Sequence, residues 1–178
     1  MMNLGQAHIT SAAAPSAFFD RWADMATWPE WNSDTEWVRL DGPFVTGATG
    51  VLKPKGGPKT KFVVGALVPE REFTDVSTLL GARLTFRHLV ERTAEGLTRV
   101  EVTVTLGGPL ARVWNLILGK GISTSLQRDL DQLKAAAEAA SGVSRDAGAA
   151  PTTALSTISG TTPTTTPATA PTTTPTSA

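Results

Sequence analysis

His88 is the residue in this chain best suited to do chemistry. It lies in Leu84-Thr85-Phe86-Arg87-His88-Leu89-Val90-Glu91 and shares strand parity with Leu84, Phe86 and Val90. On a strand it therefore points to the same apolar side as they do. Desolvation lowers the pKa of an imidazole in a dry pocket and suits it to act as a general base. One titratable residue is a thin case for catalysis, and the reading favoured for it is a core histidine satisfied by a backbone carbonyl or a neighbouring side chain. Arg87, Glu91, Arg99 and Glu101 have the opposite parity. If the hairpin turns near Ala94-Glu95-Gly96, they are expected to form cross-strand ion pairs on the outer face. A His88–Glu91 dyad would need a bulge to shift the register, so none is expected.

Other polar groups suggest less. The turn from Lys53 to Lys61 holds four lysines in nine residues but lacks the glycine-lysine order of a phosphate loop and joins two strands. It reads as a soluble hairpin, or as an electrostatic lip that draws an anionic ligand or lipid headgroup to a cavity mouth. Asp129 and Asp131 are two apart on a helical stretch and face different ways, which argues against a metal pair. No Ser-His-Asp arrangement can be built from local sequence. The chain has no cysteine and two histidines, which excludes disulfides, thiolate chemistry and a histidine-rich metal site; no metal or cofactor is expected. Sixteen basic residues balance sixteen acidic ones, so no global field points to nucleic acid or a membrane surface. No apolar run reaches the ~20 residues of a membrane span, and stable insertion is not expected. The first residues lack a charged and apolar leader, so the expected location is the cytoplasm.

The elements that must position these groups follow from periodicity. Gln6–Thr10 reads as a strand, and Pro15 opens a short helix with Phe18, Phe19 and Trp22 on one face. Pro29 starts a second short helix at Trp28-Pro29-Glu30-Trp31. These aromatics are expected mostly to seal one end of a sheet, with a few lining a pocket. Six strand-like segments follow, at 36–40, 50–54, 60–68, 72–79, 83–93 and 97–106, with connections too short for anything but antiparallel hairpins. From Leu110, a stripe of Val113, Trp114, Ile117, Leu118, Ile122, Leu126, Leu130, Leu133 and Ala137 predicts one long amphipathic helix covering the sheet. Gly119, Gly121, Ser123 and Ser125 interrupt it with small residues, which suggests a bend or room for a ligand. The folded domain is expected over 4–140. Residues 141–178, rich in Thr, Pro, Ala and Ser, read as a disordered linker or solubility element whose composition is similar to O-glycosylated stalks.

This α+β order resembles the helix-grip fold of the SRPBCC, START-like superfamily, and within it the polyketide cyclase/dehydrase group. The resemblance is carried by Trp28-Pro29-Glu30-Trp31-Asn32, by Leu84 to Glu91 and by Gly107-Gly108-Pro109-Leu110, over nearly all of 6–138. It implies a curved antiparallel sheet of about seven strands wrapped around the C-terminal helix, two short helices after the first strand, and an apolar cavity between sheet and helix. The superfamily includes lipid carriers, hormone binders, cyclases and stress proteins, so the resemblance implies a cavity and not one reaction. The expected function is binding, transport or sequestration of a small hydrophobic or amphipathic molecule of lipid or polyketide class. The expected cavity is lined by Phe62, Val64, Phe86, Val102, Trp114, Leu118 and Ile122, with His88 fixing orientation. The alternatives are an aromatase/cyclase or dehydratase with His88 as its base, and a stress-related or regulatory adaptor with a filled interior.

Overall fold

The computed structural model describes residues 1–142. The tail expected over 141–178 lies outside the described residues, apart from the turn at Ser141 and Gly142 that ends the last helix.

Seven strands form one antiparallel sheet in the order β1-β7-β6-β5-β4-β3-β2. They are β1 (Met2–Ser11), β2 (Thr35–Leu40), β3 (Thr49–Pro54), β4 (Thr60–Val68), β5 (Glu72–Leu79), β6 (Ala82–Arg92) and β7 (Thr98–Gly107). β2 to β7 follow one another as hairpins, and β1 pairs with β7. β1 is longer than its expected core because Met2–Gln6 continue the ladder beyond a bulge at Asn3/Gly5. Further register shifts at Thr35/Trp37 and Val64/Leu67 add to the twist and curl the sheet.

Alternation explains which face is dry. In β7 every second residue from Thr98 to Leu106 is buried, and Val100, Val104 and Leu106 are wholly so. Between β1 and β2 lie α1 (Pro15–Ala23), one 3-10 turn (Met25–Thr27) and α2 (Trp28–Trp31). Pro15 occupies the first turn of α1, where its missing N–H costs nothing. Phe18 and Trp22 drop into the sheet. Trp22 joins Phe19, Phe44, Trp28 and Phe73 in a chain of edge and tilted ring contacts 5.0–6.4 Å apart. One end of the curled sheet is thereby closed.

The terminal helix is not one regular rod. α3 (Ala111–Trp114) passes through a π-helical turn (Asn115–Gly119) into α4 (Lys120–Ala140). The lower stripe is covered as expected, with Leu126, Leu130, Leu133 and Ala137 buried. The upper stripe differs: Leu110, Val113 and Ile117 are exposed, since the helix enters at the sheet's rim with nothing opposite that side. Antiparallel succession puts the β3–β4 turn, the β5–β6 turn and the helix entry at this same rim. At the β5–β6 turn Gly81 takes a φ of +63°, and a Cβ there would run into Leu110, so that hairpin tip and helix entry are fitted together.

The outer face carries ion pairs, though not the expected set. Arg87 bonds Glu72 on β5 at 2.8 Å, and Arg99 bonds Glu101 on its own strand at 3.0 Å, while Glu91 is exposed. The long arginine side chains reach diagonal and same-face neighbours rather than the residue directly opposite.

A cavity with one polar wall between sheet and helix

The curl of the sheet and the wide turn of the helix leave a cavity of about 430 Å³. Of the residues expected to line it, Phe86, His88, Val102, Trp114, Leu118 and Ile122 do border it. Phe62 and Val64 are buried but do not line it. Phe62 sits opposite Gly50 on β3, and its ring occupies the space a Cβ there would take. Val64 is held under the β2–β3 loop by backbone bonds to Gly47 and Ala48. Both therefore pack the closed part of the core. The walls of the cavity are completed by Trp22, Trp28, Trp31, Leu84, Leu126 and Leu130. Another depression of similar volume, at Asp20, Arg21, Asp24 and Ala140, is open, and no buried polar group among the described residues faces it.

His88 faces the cavity from within an aromatic cage. Its ring stacks on Phe73 at 4.9 Å and 17°, with Trp22 at 5.2 Å. Nδ1 lies 3.2 Å from the carbonyl oxygen of Phe73, which assigns the ring proton to Nδ1 and leaves Nε2 as an acceptor. Burial is the main cause of a pKa lowered to about 4; the bond to Phe73 opposes it.

Sequence reasoning did not single out Asp75, a second buried titratable group on the sheet wall of the cavity. It is buried, lines the cavity and lies across from Phe86, diagonal to His88 on the neighbouring strand. Diagonal neighbours of this kind are roughly 7–8 Å apart. Burial raises its pKa to about 7; no cation among the described residues offsets this, and only a backbone hydrogen bond of its own acts the other way. The usual order of the two groups is thus reversed: the carboxyl still holds its proton where the imidazole has lost its own. As a neutral pair, Asp75 can donate a hydrogen bond at the cavity wall and His88 can accept one. The signal was present in Phe73-Asp75-Ser77, which places the carboxyl on the parity of a buried phenylalanine.

Further polar groups lie around the cavity. Ser77 is buried on its sheet side and Ser125 on its helix side. The indole Nε1 atoms of Trp22 and Trp31 are buried without a hydrogen-bond partner among the described residues. Trp28 instead donates to the carbonyl of Trp22 at 3.2 Å. Asp129 borders the cavity, but its carboxylate accepts from the Ser33 hydroxyl at 2.8 Å and pins the α2–β2 connection to α4. The lysine turn borders the mouth through Lys55, Gly57, Pro58 and Thr60. Lys53 braces it from behind, donating to Gly57 at 2.8 Å and pairing with Glu36 at 3.3 Å.

Solved structures share this architecture at low identity. Hypothetical protein jhp0584 from Helicobacter pylori superposes with a TM-score of 0.60 at 12% identity, over 73% of this chain and 84% of that one. TTHA0849 from Thermus thermophilus gives 0.58 at 15% identity, over 77% and 98%. DynU16, from the dynemicin biosynthetic locus, gives 0.58 at 13%, over 80% of this chain and 49% of that one. These likenesses establish the fold alone. No curated protein matches the sequence. The model of the family described as "Polyketide cyclase / dehydrase and lipid transport" matches residues 5–138, all of the sheet except the first three residues of β1 and nearly all of the terminal helix. With the helix-grip fold of the SRPBCC superfamily around an open interior, the chain belongs to that family.

Proposed function

We propose that this protein binds a small amphipathic molecule, of the lipid or polyketide class, in the cavity between sheet and terminal helix. The observation that carries this reading is the cavity itself, about 430 Å³, with mostly apolar walls and a few buried polar groups, Asp75, Ser77 and His88 on the sheet and Ser125 on the helix. That volume lies within the range of small-molecule sites, and the lining follows their pattern of apolar surface with few oriented polar groups. The apolar body of the ligand packs on Leu84, Phe86, Val102, Leu118 and Ile122. An oxygen-bearing group, carbonyl or hydroxyl, meets the Asp75 carboxyl and His88 Nε2. An adaptor with a filled interior is disfavoured by the same cavity.

A second reading is favoured by the reversed proton order of Asp75 and His88. Such a pair suits elimination of water from a β-hydroxy carbonyl compound. His88 Nε2 takes the proton from the carbon next to the carbonyl, a C=C bond forms, the C–O bond breaks, and Asp75 protonates the departing hydroxyl to give water. The proton then returns from His88 to Asp75 through solvent.

Native mass spectrometry of freshly purified protein tests the first reading: a retained lipid-like mass is expected, displaced by an added apolar competitor. Four tryptophans line the cavity, so ligand titrations can be followed by intrinsic fluorescence. His88→Ala separates the two readings. A carrier keeps its affinity for an apolar ligand within about tenfold (about 1.4 kcal/mol), whereas a dehydratase loses turnover. Equal turnover in both proteins would remove His88 from any catalytic role.

A further inference from the structure

We infer that the open rim of the cavity is a docking surface for an anionic lipid bilayer. The inference concerns the rim and does not depend on what the cavity holds.

The first observation is an apolar lip. Leu80 is 80% exposed, Leu116 85%, Ile117 62% and Val113 51%. They come from two elements, the β5–β6 hairpin tip and the helix entry, which are joined by the bond from Trp114 Nε1 to the Leu80 carbonyl at 2.9 Å. Ile117 also borders the cavity, so the lip and the mouth are continuous. Large side chains clustered in water at one place mark an interaction surface rather than scattered exposure.

The second observation is charge. The net charge is zero, yet the charges are sorted along the sheet. Lys55, Lys59, Lys61, Arg83, Arg112 and Lys120 are all exposed on the turns, strand starts and helix entry at the rim. The acidic residues at this end are already engaged: Glu36 with Lys53 at 3.3 Å and Asp34 with Arg128 at 3.6 Å. At the far end, exposed Asp41, Glu70, Glu91 and Glu95 mix with Arg71 and Arg92. An apolar lip ringed by cations with no ion-pair partner among the described residues is complementary to an interface with acyl chains beneath anionic headgroups. The ring of like charge disfavours a second copy of this chain, whose matching rim would repel it.

Co-sedimentation of the full chain with phosphatidylcholine vesicles, with and without phosphatidylserine, tests this. Binding is expected to the phosphatidylserine vesicles and to weaken with added salt. Leu80→Asp and Leu116→Asp, at sites outside the cavity, should each lower it by tenfold or more. Lys61→Gln and Arg112→Gln should each lower it about fivefold, as expected for roughly 1 kcal/mol per basic residue. Thermal melts of the four variants should match the parent, since all four sites are solvent-exposed. No sedimentation with phosphatidylserine vesicles, or binding indifferent to the leucine changes, overturns the inference. So does a dimer in sedimentation velocity that Leu116→Asp dissolves, which would assign the lip to self-association. Retention of a ligand in native mass spectrometry is read separately and survives any of these failures.

Discussion

Asp75 and His88 should leave a signature in the pH dependence of stability that neither produces alone. Burial raises the Asp75 pKa from 3.8 to about 7 and lowers that of His88 from 6.5 to about 4. Between pH 4 and 6.5 the folded chain holds a proton on Asp75, and the unfolded chain holds one on His88. The proton counts cancel, so stability is flat there with respect to this pair. Asp75→Asn removes one side of the balance: the unfolded state then binds the extra proton, and stability falls as pH drops from 6.5 to 4. His88→Phe has the opposite effect, with stability falling as pH rises from 4 to 7. Each slope integrates to roughly 3–4 kcal/mol, readable as melting temperature against pH. Parallel profiles for the parent and Asp75→Asn would show that the carboxyl is not held neutral.

At the scale of elements, the terminal helix depends on two glycines with different tasks. Gly119 closes the π-helical turn, and a Cβ there would lie 2.5 Å from Asn115 Oδ1. A Cβ on Gly121 would meet nothing within 4 Å, and that position borders the cavity. Gly121→Ala is therefore expected to stabilise the protein by up to about 1 kcal/mol, the propensity difference in a helix interior. Gly119→Ala should gain less than Gly121→Ala, because its Cβ must first push the Asn115 side-chain amide aside. Gly121→Leu should keep the melting temperature and weaken ligand binding, because the new side chain enters space beside the mouth. Denaturant melts and tryptophan fluorescence titrations check the three variants. A Gly121→Leu protein that binds as well as the parent would place the ligand's path elsewhere. Wide turns of this kind are rare and occur often at functional sites.

On the scale of the whole molecule, the sheet topology decides what the surface presents. Among the described residues no helix is long and apolar enough to cross a membrane, so any membrane contact of this rim through helices would be peripheral. Surface attraction of that kind is screened within about 10 Å at 0.1 M salt. Moving from low to high ionic strength should therefore release the protein from phosphatidylserine vesicles while leaving cavity binding of an uncharged ligand unchanged. Vesicle sedimentation and fluorescence titration in the same salt series separate the two. A parallel decline in both would mean that the rim charges act on the ligand and not on a surface.

Much of the architecture was legible in the order of residues. Strict alternation in Arg99 to Leu106, hairpin punctuation at Gly56-Gly57 and Glu95-Gly96, and the stripe from Leu126 to Ala137 define strands and helix locally. The inward parity of His88 was legible for the same reason. Other features were not. Asp75 shared that parity, but whether an inward carboxylate meets a cation or a void depends on the strand beside it. Phe62 and Val64 were inward too, and only the bulge in β4 and the β2–β3 loop put them in packed core rather than at the wall. Likewise the apolar stripe continued through Val113 and Ile117, where the sheet had ended and no cover remained. Periodicity, a property of neighbours along the chain, determined the elements and their dry faces. Burial, proton order and the gathering of cations at one rim arise between residues distant in sequence, so the curl and pairing of the sheet decided them.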